Sequence, residues 1–229
     1  MINFSITKPC PRFTAIFSVG ALLCLSLLSQ IAFTQTVNPS LLQRVRQLIG
    51  LSRSIAAGGS RSADVESVCV ITPSALVDGN GQAHALVPLP KPSILAAGQL
   101  SEVRIERDGQ MLWRQRASSS SSITGIIAWP IDPIKPGEHL TLLLRPSGAS
   151  SSDFARITLI GASDSEMKAN QALLDKPGIN DLKLLQVVDE ALMNHQVATA
   201  MTLLFAFENP GSVEMDMLKR EILMRGCAS

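Results

Sequence analysis

The stretch SEVRIERDGQMLWRQRAS, residues 101–118, decides the fold that the chain is expected to adopt. Val103 and Ile105 alternate with polar residues before Asp108-Gly109, and a second alternating run follows that pair. Asp-Gly between two alternating runs accepts the positive φ angles of a type I′ turn, so it is a strong short-range signal for a β-hairpin. The stretch therefore predicts two antiparallel strands joined by a two-residue turn.

Short strand-like runs separated by turn residues extend on both sides of this hairpin, over residues 66–162. They include ESVCVIT (66–72), ITGIIAWP (123–130) and FARITLIGA (154–162). About seven short strands, with no helical period between them, predict an immunoglobulin-like β-sandwich.

The hydrophobic period becomes helical in residues 163–229, where apolar residues recur at spacings of three and four. Asn209-Pro210-Gly211 interrupts the last pair of apolar segments. These features predict a small α-helical hairpin domain that follows the sandwich and packs against it.

The first 34 residues have the order of a secretory signal peptide. Lys8 and Arg12 precede an uncharged apolar run over residues 13–28, and small polar residues follow that run. We expect cleavage after Thr34 and export to the periplasm or beyond. The alternative is an uncleaved N-terminal helix that anchors the chain, because the apolar run is just long enough to span a bilayer.

Residues 35–65 predict a basic amphipathic helix and a linker. Pro39 suits the first turn of a helix, the apolar residues after it fall on one face, and residues 57–60 (AGGS) indicate a flexible joint. This helix either contacts a membrane surface or a partner, or packs against the sandwich as a linker helix.

Two of the four cysteines, Cys10 and Cys24, lie within the predicted signal peptide. Cys69 and Cys227 form an even pair in a compartment that permits disulfides. Their pairing would tie the last helix to the first strand. The alternative is two separate buried thiols, because cysteine is often a core residue.

Composition and charge argue against nucleic-acid binding. The chain carries 20 basic and 19 acidic residues, and loss of Lys8 and Arg12 with the signal peptide changes its net charge from +1 to −1. A nearly neutral protein has no global field that attracts phosphate backbones. Aromatic residues make up 4% of the chain, so exposed stacking platforms are scarce.

No arrangement of residues predicts a catalytic, cofactor or metal site. The three histidines have no ligand partner at a suitable spacing, and no His-Glu-x-x-His, Gly-x-Ser-x-Gly or phosphate-loop motif occurs; they are His84, His139 and His195. The run Asp78-Gly79-Asn80-Gly81 lacks the twelve-residue frame of a calcium loop, so we interpret it as a turn.

Trp113 and Trp129 are the only tryptophans. They would form a ligand platform if both faced solvent, whereas Trp113 in a strand and Trp129 at a strand end also suit packing in the core or at its rim.

Four short motifs support a resemblance to a known class of domain: Lys91-Pro92, Leu112-Trp113, Trp129-Pro130 and Pro136-Gly137. Over about a third of its length the chain resembles the fibronectin-III/immunoglobulin-like domain of uncharacterised exported bacterial proteins. The tail resembles a tetratricopeptide-type helical hairpin. Both resemblances imply binding or scaffolding more than chemistry.

The sequence thus predicts an exported, non-enzymatic interaction or scaffold module with an envelope protein as its partner. It predicts no cofactor and no nucleic acid, and membrane contact only through an uncleaved N-terminal segment. The alternative function is a β-sandwich that binds a small ligand or glycan through the region of Trp113 and Trp129.

Overall fold

The structure is a computed structural model that describes residues 68–176, 179–206 and 212–225, together with the single residue Gln43. Within these ranges the chain forms a two-stranded sheet, a six-stranded sheet and four helices, so a sheet-rich part precedes a helical part. The predicted signal peptide of residues 1–34 lies outside the described residues, as does the predicted basic helix of residues 35–65 apart from Gln43.

The strands are β1 (Cys69–Thr72), β2 (Ala75–Val77), β3 (Ala83–Val87), β4 (Leu95–Ala97), β5 (Leu100–Arg107), β6 (Gln110–Arg116), β7 (His139–Pro146) and β8 (Ala155–Gly161). The helices are α1 (Asp164–Leu174), α2 (Asp181–Met193), α3 (Val197–Ala206) and α4 (Val213–Arg225).

The larger sheet has the strand order β2-β3-β8-β7-β5-β6. Strand β3 pairs with β8 in parallel, and the other neighbours pair in antiparallel fashion. The smaller sheet consists of β1 and β4, also antiparallel. Strands β5 and β7 therefore lie inside the larger sheet, and β6 forms one of its two edges.

The predicted hairpin is confirmed. Asp108 and Gly109 connect β5 to β6 with φ angles of 50° and 79°, as a type I′ turn requires of both central residues. The predicted continuous strand over residues 123–130 is wrong. Ile123 and Ile127 each form one isolated bridge, to Leu100 and Ile94, because Gly125 between them has a φ of 79° and interrupts the extended backbone.

A first core cluster is filled from both sheets. It combines residues of β1 and β4 with the inward residues of the larger sheet, among them Val103, Leu142 and Ile157, all with no exposed surface. Gly161 at the end of β8 lets the backbone after Ile134 approach closely, because a Cβ at this position would lie 2.1 Å from the carbonyl oxygen of Lys135.

The helices surround a second core cluster, which Ile71 of β1 and Leu95 of β4 also join. The predicted helical tail is therefore confirmed, and it packs against the sheets. Helix α3 is buried along most of its length and contacts α2, β1 and β3. Among the described residues, no helix combines the length and the apolar character needed to span a membrane.

Candidate functional site

An irregularity in the β5–β6 hairpin determines which side chains share the outer face of the larger sheet. Ile105 pairs with Trp113 and Glu106 pairs with Met111, so Leu112 is an extra residue, a β-bulge. Beyond the bulge, Arg104 lies opposite Arg114 and Glu102 lies opposite Arg116. Because paired residues point to the same face, the bulge places both of these β6 arginines beside Glu102.

Four arginines surround the carboxylate of Glu102, whose side chain has no exposed surface. Arg104 donates from Nε to Oε1 at 2.6 Å, and Arg145 Nη2 of β7 lies 2.7 Å from Oε2 as an ion pair without hydrogen-bond geometry. Arg116 Nε lies 3.4 Å from Oε2, and Arg114 Nε lies 3.9 Å from Oε1. We call these five residues the arginine cluster.

The charges of the cluster keep Glu102 ionised. Burial, the largest single influence, would raise the pKa of this carboxyl group. The hydrogen bond and charge of Arg104 and the charges of Arg145 and Arg116 outweigh burial, so the pKa lies below its ordinary value of 4.5. The cluster therefore contains a buried carboxylate, not a neutral acid.

Arg104 and Arg145, the two less exposed arginines of the cluster, have further partners that hold them in place. The guanidinium carbons of Arg104 and Arg145 lie 4.5 Å and 5.4 Å from the centre of the Phe154 ring, within range of a cation–π interaction. Arg145 also donates from Nε to Ser101 Oγ at 2.9 Å and from Nη1 to the carbonyl oxygen of Ser151 at 3.3 Å. Most of the contacts of these two arginines are therefore made within the chain, and their main role is to hold the cluster in place.

Arg114 and Arg116, which we call the outer arginines, are exposed enough to contact a partner. The exposed fraction of the side chain is 38% for Arg114 and 58% for Arg116, against 24% for Arg104 and 16% for Arg145. Glu102 is the one carboxylate within 4.0 Å of the four arginines in the part of the chain that the structure describes. Four guanidinium groups against one carboxylate leave three positive charges in the arginine cluster.

A groove of about 550 Å³ adjoins the cluster at Arg116. The serine run after β6 and the segment around Ile127 form its described walls. Some of its hydroxyl groups already have partners, since Ser122 donates to Gln99 Oε1 at 3.1 Å and accepts from Ser147. Neither Trp113 nor Trp129 belongs to its described lining.

The two tryptophans each pack against the first core cluster and are only partly exposed. Trp129 donates from Nε1 to the carbonyl oxygen of Asp132 at 2.9 Å. Trp113 lies on the inner side of β6, opposite Ile105. The rim-packing interpretation thus describes both residues, while a ligand platform built from them stays a prediction.

Cys69 is disulfide-bonded. Cys227, the partner that the sequence predicts, lies outside the described residues, so this pairing stays a prediction.

Asp78 acts as a turn residue, as predicted. Its Oδ1 accepts hydrogen bonds from the backbone N–H groups of Asn80 and Gln82, and Oδ2 lies 3.3 Å from His84 Nε2. The bond from Gln82, the largest influence, helps to lower the pKa of Asp78. Among the described residues, no three His, Cys, Asp or Glu side chains are grouped to hold a metal ion.

Sequence reasoning missed the arginine cluster. One signal was present, because Glu102 and Arg104 alternate in the first strand of the hairpin while Arg114 and Arg116 alternate in the second. A hairpin with a two-residue turn and no bulge, however, would set Trp113 opposite Arg104, so the alternation alone does not predict that Arg114 and Arg116 lie beside Glu102 and Arg104.

Comparison of the chain with protein-family models, curated proteins and solved structures gives no match. The resemblance of the chain to exported immunoglobulin-like domains therefore stays a prediction.

Proposed function

We propose that this chain is an exported, non-enzymatic interaction module of the cell envelope that binds an acidic partner protein through the arginine cluster. The observation that carries this proposal is the excess of three positive charges around Glu102. Guanidinium groups bind carboxylates through paired, charge-assisted hydrogen bonds. Acidic side chains of a partner are therefore the groups that this face would bind best.

The layout of the cluster favours a protein partner over a small anion. The cluster lies across three neighbouring strands on the face of a sheet, whereas small-molecule sites are mostly concave. Glu102, Arg104 and Arg145 are fixed by mutual contacts, so the outer arginines project from a rigid base. The base needs no further ordering when a partner binds, so the loss of side-chain entropy falls mainly on Arg114 and Arg116.

Nucleic acid is a weaker candidate for the same surface. The whole chain carries a net charge of +1, so its excess of positive charge is local. Proteins that bind nucleic acid usually combine a broad basic surface with exposed aromatic residues, and here the two tryptophans pack against the core.

Two observations support export. Lys8 and Arg12 followed by an uncharged apolar run have the order of a secretory signal. The disulfide at Cys69 suits an oxidising compartment, since disulfides are rare in the cytosol.

The strand order supports an immunoglobulin-like sandwich as the finer fold. The neighbours β6-β5-β7-β8 follow the order of strands C′, C, F and G in immunoglobulin domains. The smaller sheet, with the bridges of Ile94 to Ile127 and Leu100 to Ile123, would supply the second layer. Sandwiches of this kind often serve as binding modules, which is an argument by analogy.

In-cell crosslinking of the tagged chain, followed by mass spectrometry of the retained proteins, tests the proposed function. We expect one acidic protein that is retained by the wild type and lost from the double variant Arg114→Gln/Arg116→Gln. The control Lys176→Gln/Lys183→Gln removes the same charge from exposed positions in the helical part and should retain the partner. Equal retention by all three proteins would refute a role for the cluster.

A small-ligand or glycan site is the second candidate, and the groove beside Arg116 is the observation that favours it. Its volume lies within the range of about 300–1,000 Å³ that is usual for ligand pockets. This candidate predicts that envelope polysaccharides bind the chain in isothermal titration calorimetry and that Arg116→Gln, which changes a residue of the groove, weakens this binding. A flat titration over a broad panel of glycans would count against it.

A further inference from the structure

We infer that the acidic partner binds as an extended segment that adds a strand to the outer edge of β6, with acidic side chains two residues apart. This inference rests on the proposed function and specifies its partner as an extended peptide with the pattern acid-x-acid.

Among the described strands, β6 is an edge strand of the larger sheet. It pairs with β5 on one side, and no described strand pairs with it on the other. Six of its seven residues are exposed, the half-buried Trp113 being the exception. An edge strand presents N–H and C=O groups that an extended peptide can pair with, as in strand addition to other sheets.

The cross-strand rows show which side chains this added strand needs. One row runs from Arg145 through Glu102 to Arg116, so that its charges alternate. The next row sets Arg104 directly opposite Arg114. Like charges directly opposite each other are unfavourable, and Glu102 is the described carboxylate that these two arginines share. An acidic side chain on a strand added beside β6 would pair with Arg116 and so continue the alternation of charges in the first row. A second acidic side chain beside Arg114 would reduce the repulsion between Arg104 and Arg114 in the second row.

The spacing of the two outer arginines sets the spacing of the acids. Arg114 and Arg116 are two residues apart in a strand, which corresponds to about 7 Å along its axis. An extended peptide places its residues i and i+2 on one face at the same distance. Two acids in adjacent positions would point to opposite faces, so only one of them would meet an arginine.

The same arginines disfavour a second copy of this chain as the occupant. Charged side chains and bulges are the devices with which sheets avoid edge-to-edge pairing. Pairing of two β6 edges would bring arginines of both copies close together. The carboxylates of an acidic strand would instead lie beside the arginines of β6. The bulge at Leu112 lies near the turn and leaves the pairing of Gln115 and Arg116 with β5 regular.

The test measures the binding of labelled peptides to the full chain by fluorescence anisotropy. The first peptide is Thr-Thr-Val-Glu-Val-Glu-Val-Thr-Thr, and its isomer Thr-Thr-Val-Val-Glu-Glu-Val-Thr-Thr has the same composition and charge. We expect the first peptide to bind at least about tenfold more tightly than the isomer, a difference of about 1.4 kcal/mol. Arg114→Gln/Arg116→Gln should remove this preference, and Lys176→Gln/Lys183→Gln should keep it.

Backbone methylation separates strand addition from simple attraction between charges. In an added strand, alternate peptide amides face β6 and the others face solvent. N-methylation of one alternate set should therefore abolish binding, and N-methylation of the other set should leave it within about twofold.

Three results would overturn the inference. The two isomers could bind equally, both methylated sets could bind equally, or a single-stranded oligonucleotide could bind more tightly than the first peptide. If crosslinking still retains an acidic protein that depends on Arg114 and Arg116, the proposed function stands and strand addition alone fails. If retention does not depend on these arginines, the proposed function fails as well.

Discussion

Replacement of Glu102 by glutamine tests whether the arginine cluster depends on its central charge. The substitution keeps the size of the side chain and removes a buried negative charge. Arg104 donates a hydrogen bond to the carboxylate at 2.6 Å and Arg145 lies 2.7 Å from it as an ion pair, and a hydrogen bond to a charged group contributes about 1.5–3 kcal/mol. The glutamine keeps one acceptor oxygen, so roughly one such contact is lost.

The outer arginines add little to this loss. Arg114 and Arg116 lie 3.9 and 3.4 Å from the carboxylate and are substantially exposed, so solvent screening limits each pair to about 0–1 kcal/mol. We therefore expect Glu102→Gln to lower the free energy of unfolding by about 2–3 kcal/mol at neutral pH. Arg116→Gln should lower it by less than about 1 kcal/mol, which makes it the matched control.

The effect should depend on pH in a defined direction. Because the pKa of Glu102 in the folded protein lies below its ordinary value of 4.5, the ionised side chain stabilises the fold fully above that value. This stabilisation is lost as the pH falls through the folded pKa. The difference in stability between wild type and Glu102→Gln should therefore be largest at neutral pH and shrink in acid.

Urea unfolding followed by tryptophan fluorescence measures these differences, because Trp113 and Trp129 are partly buried against the core. Wild type, Glu102→Gln and Arg116→Gln would be compared at neutral pH and near pH 3, which lies about 1.5 units below the ordinary pKa of 4.5. A Glu102→Gln variant as stable as wild type at neutral pH would refute the reasoning, as would a deficit that stays constant in acid.

Three further outcomes are expected from thermal or urea unfolding. Gly161→Ala should destabilise the chain by more than about 1 kcal/mol, because its Cβ would lie 2.1 Å from a backbone carbonyl oxygen, whereas Gly79→Ala meets nothing within 4 Å and should be close to neutral. Met215→Ala should cost about 2–5 kcal/mol at a fully buried position of α4, whereas Met217→Ala on the exposed side should change stability by less than about 0.5 kcal/mol. Reduction of the Cys69 disulfide should lower the melting temperature, with a loss of about 2–5 kcal/mol. Equal effects within either pair, or an unchanged melting temperature, would contradict the corresponding prediction.

Local chemistry made much of the fold predictable. Asp108-Gly109 predicted its turn because few other residue pairs adopt two successive positive φ angles at low cost. The apolar periodicity after Ser163 predicted helices because burial of one face requires residues three and four apart. The prediction of a strand over residues 123–130 was wrong. It rested on their apolar content, whereas Gly125 adopts a φ of 79° that interrupts the extended backbone.

The sequence by itself determined the hairpin, the change from strands to helices and the alternation of charges along β5 and β6. Only the tertiary structure decided that these charges meet. Arg145 arrives from β7, and the bulge at Leu112 turns Trp113 towards the core and the arginines of β6 towards Glu102. A shift of one residue in the pairing of two strands moves the side chains of one strand to the opposite face. Which register forms depends on the side chains that the inner face must bury, and the local sequence pattern does not contain this information.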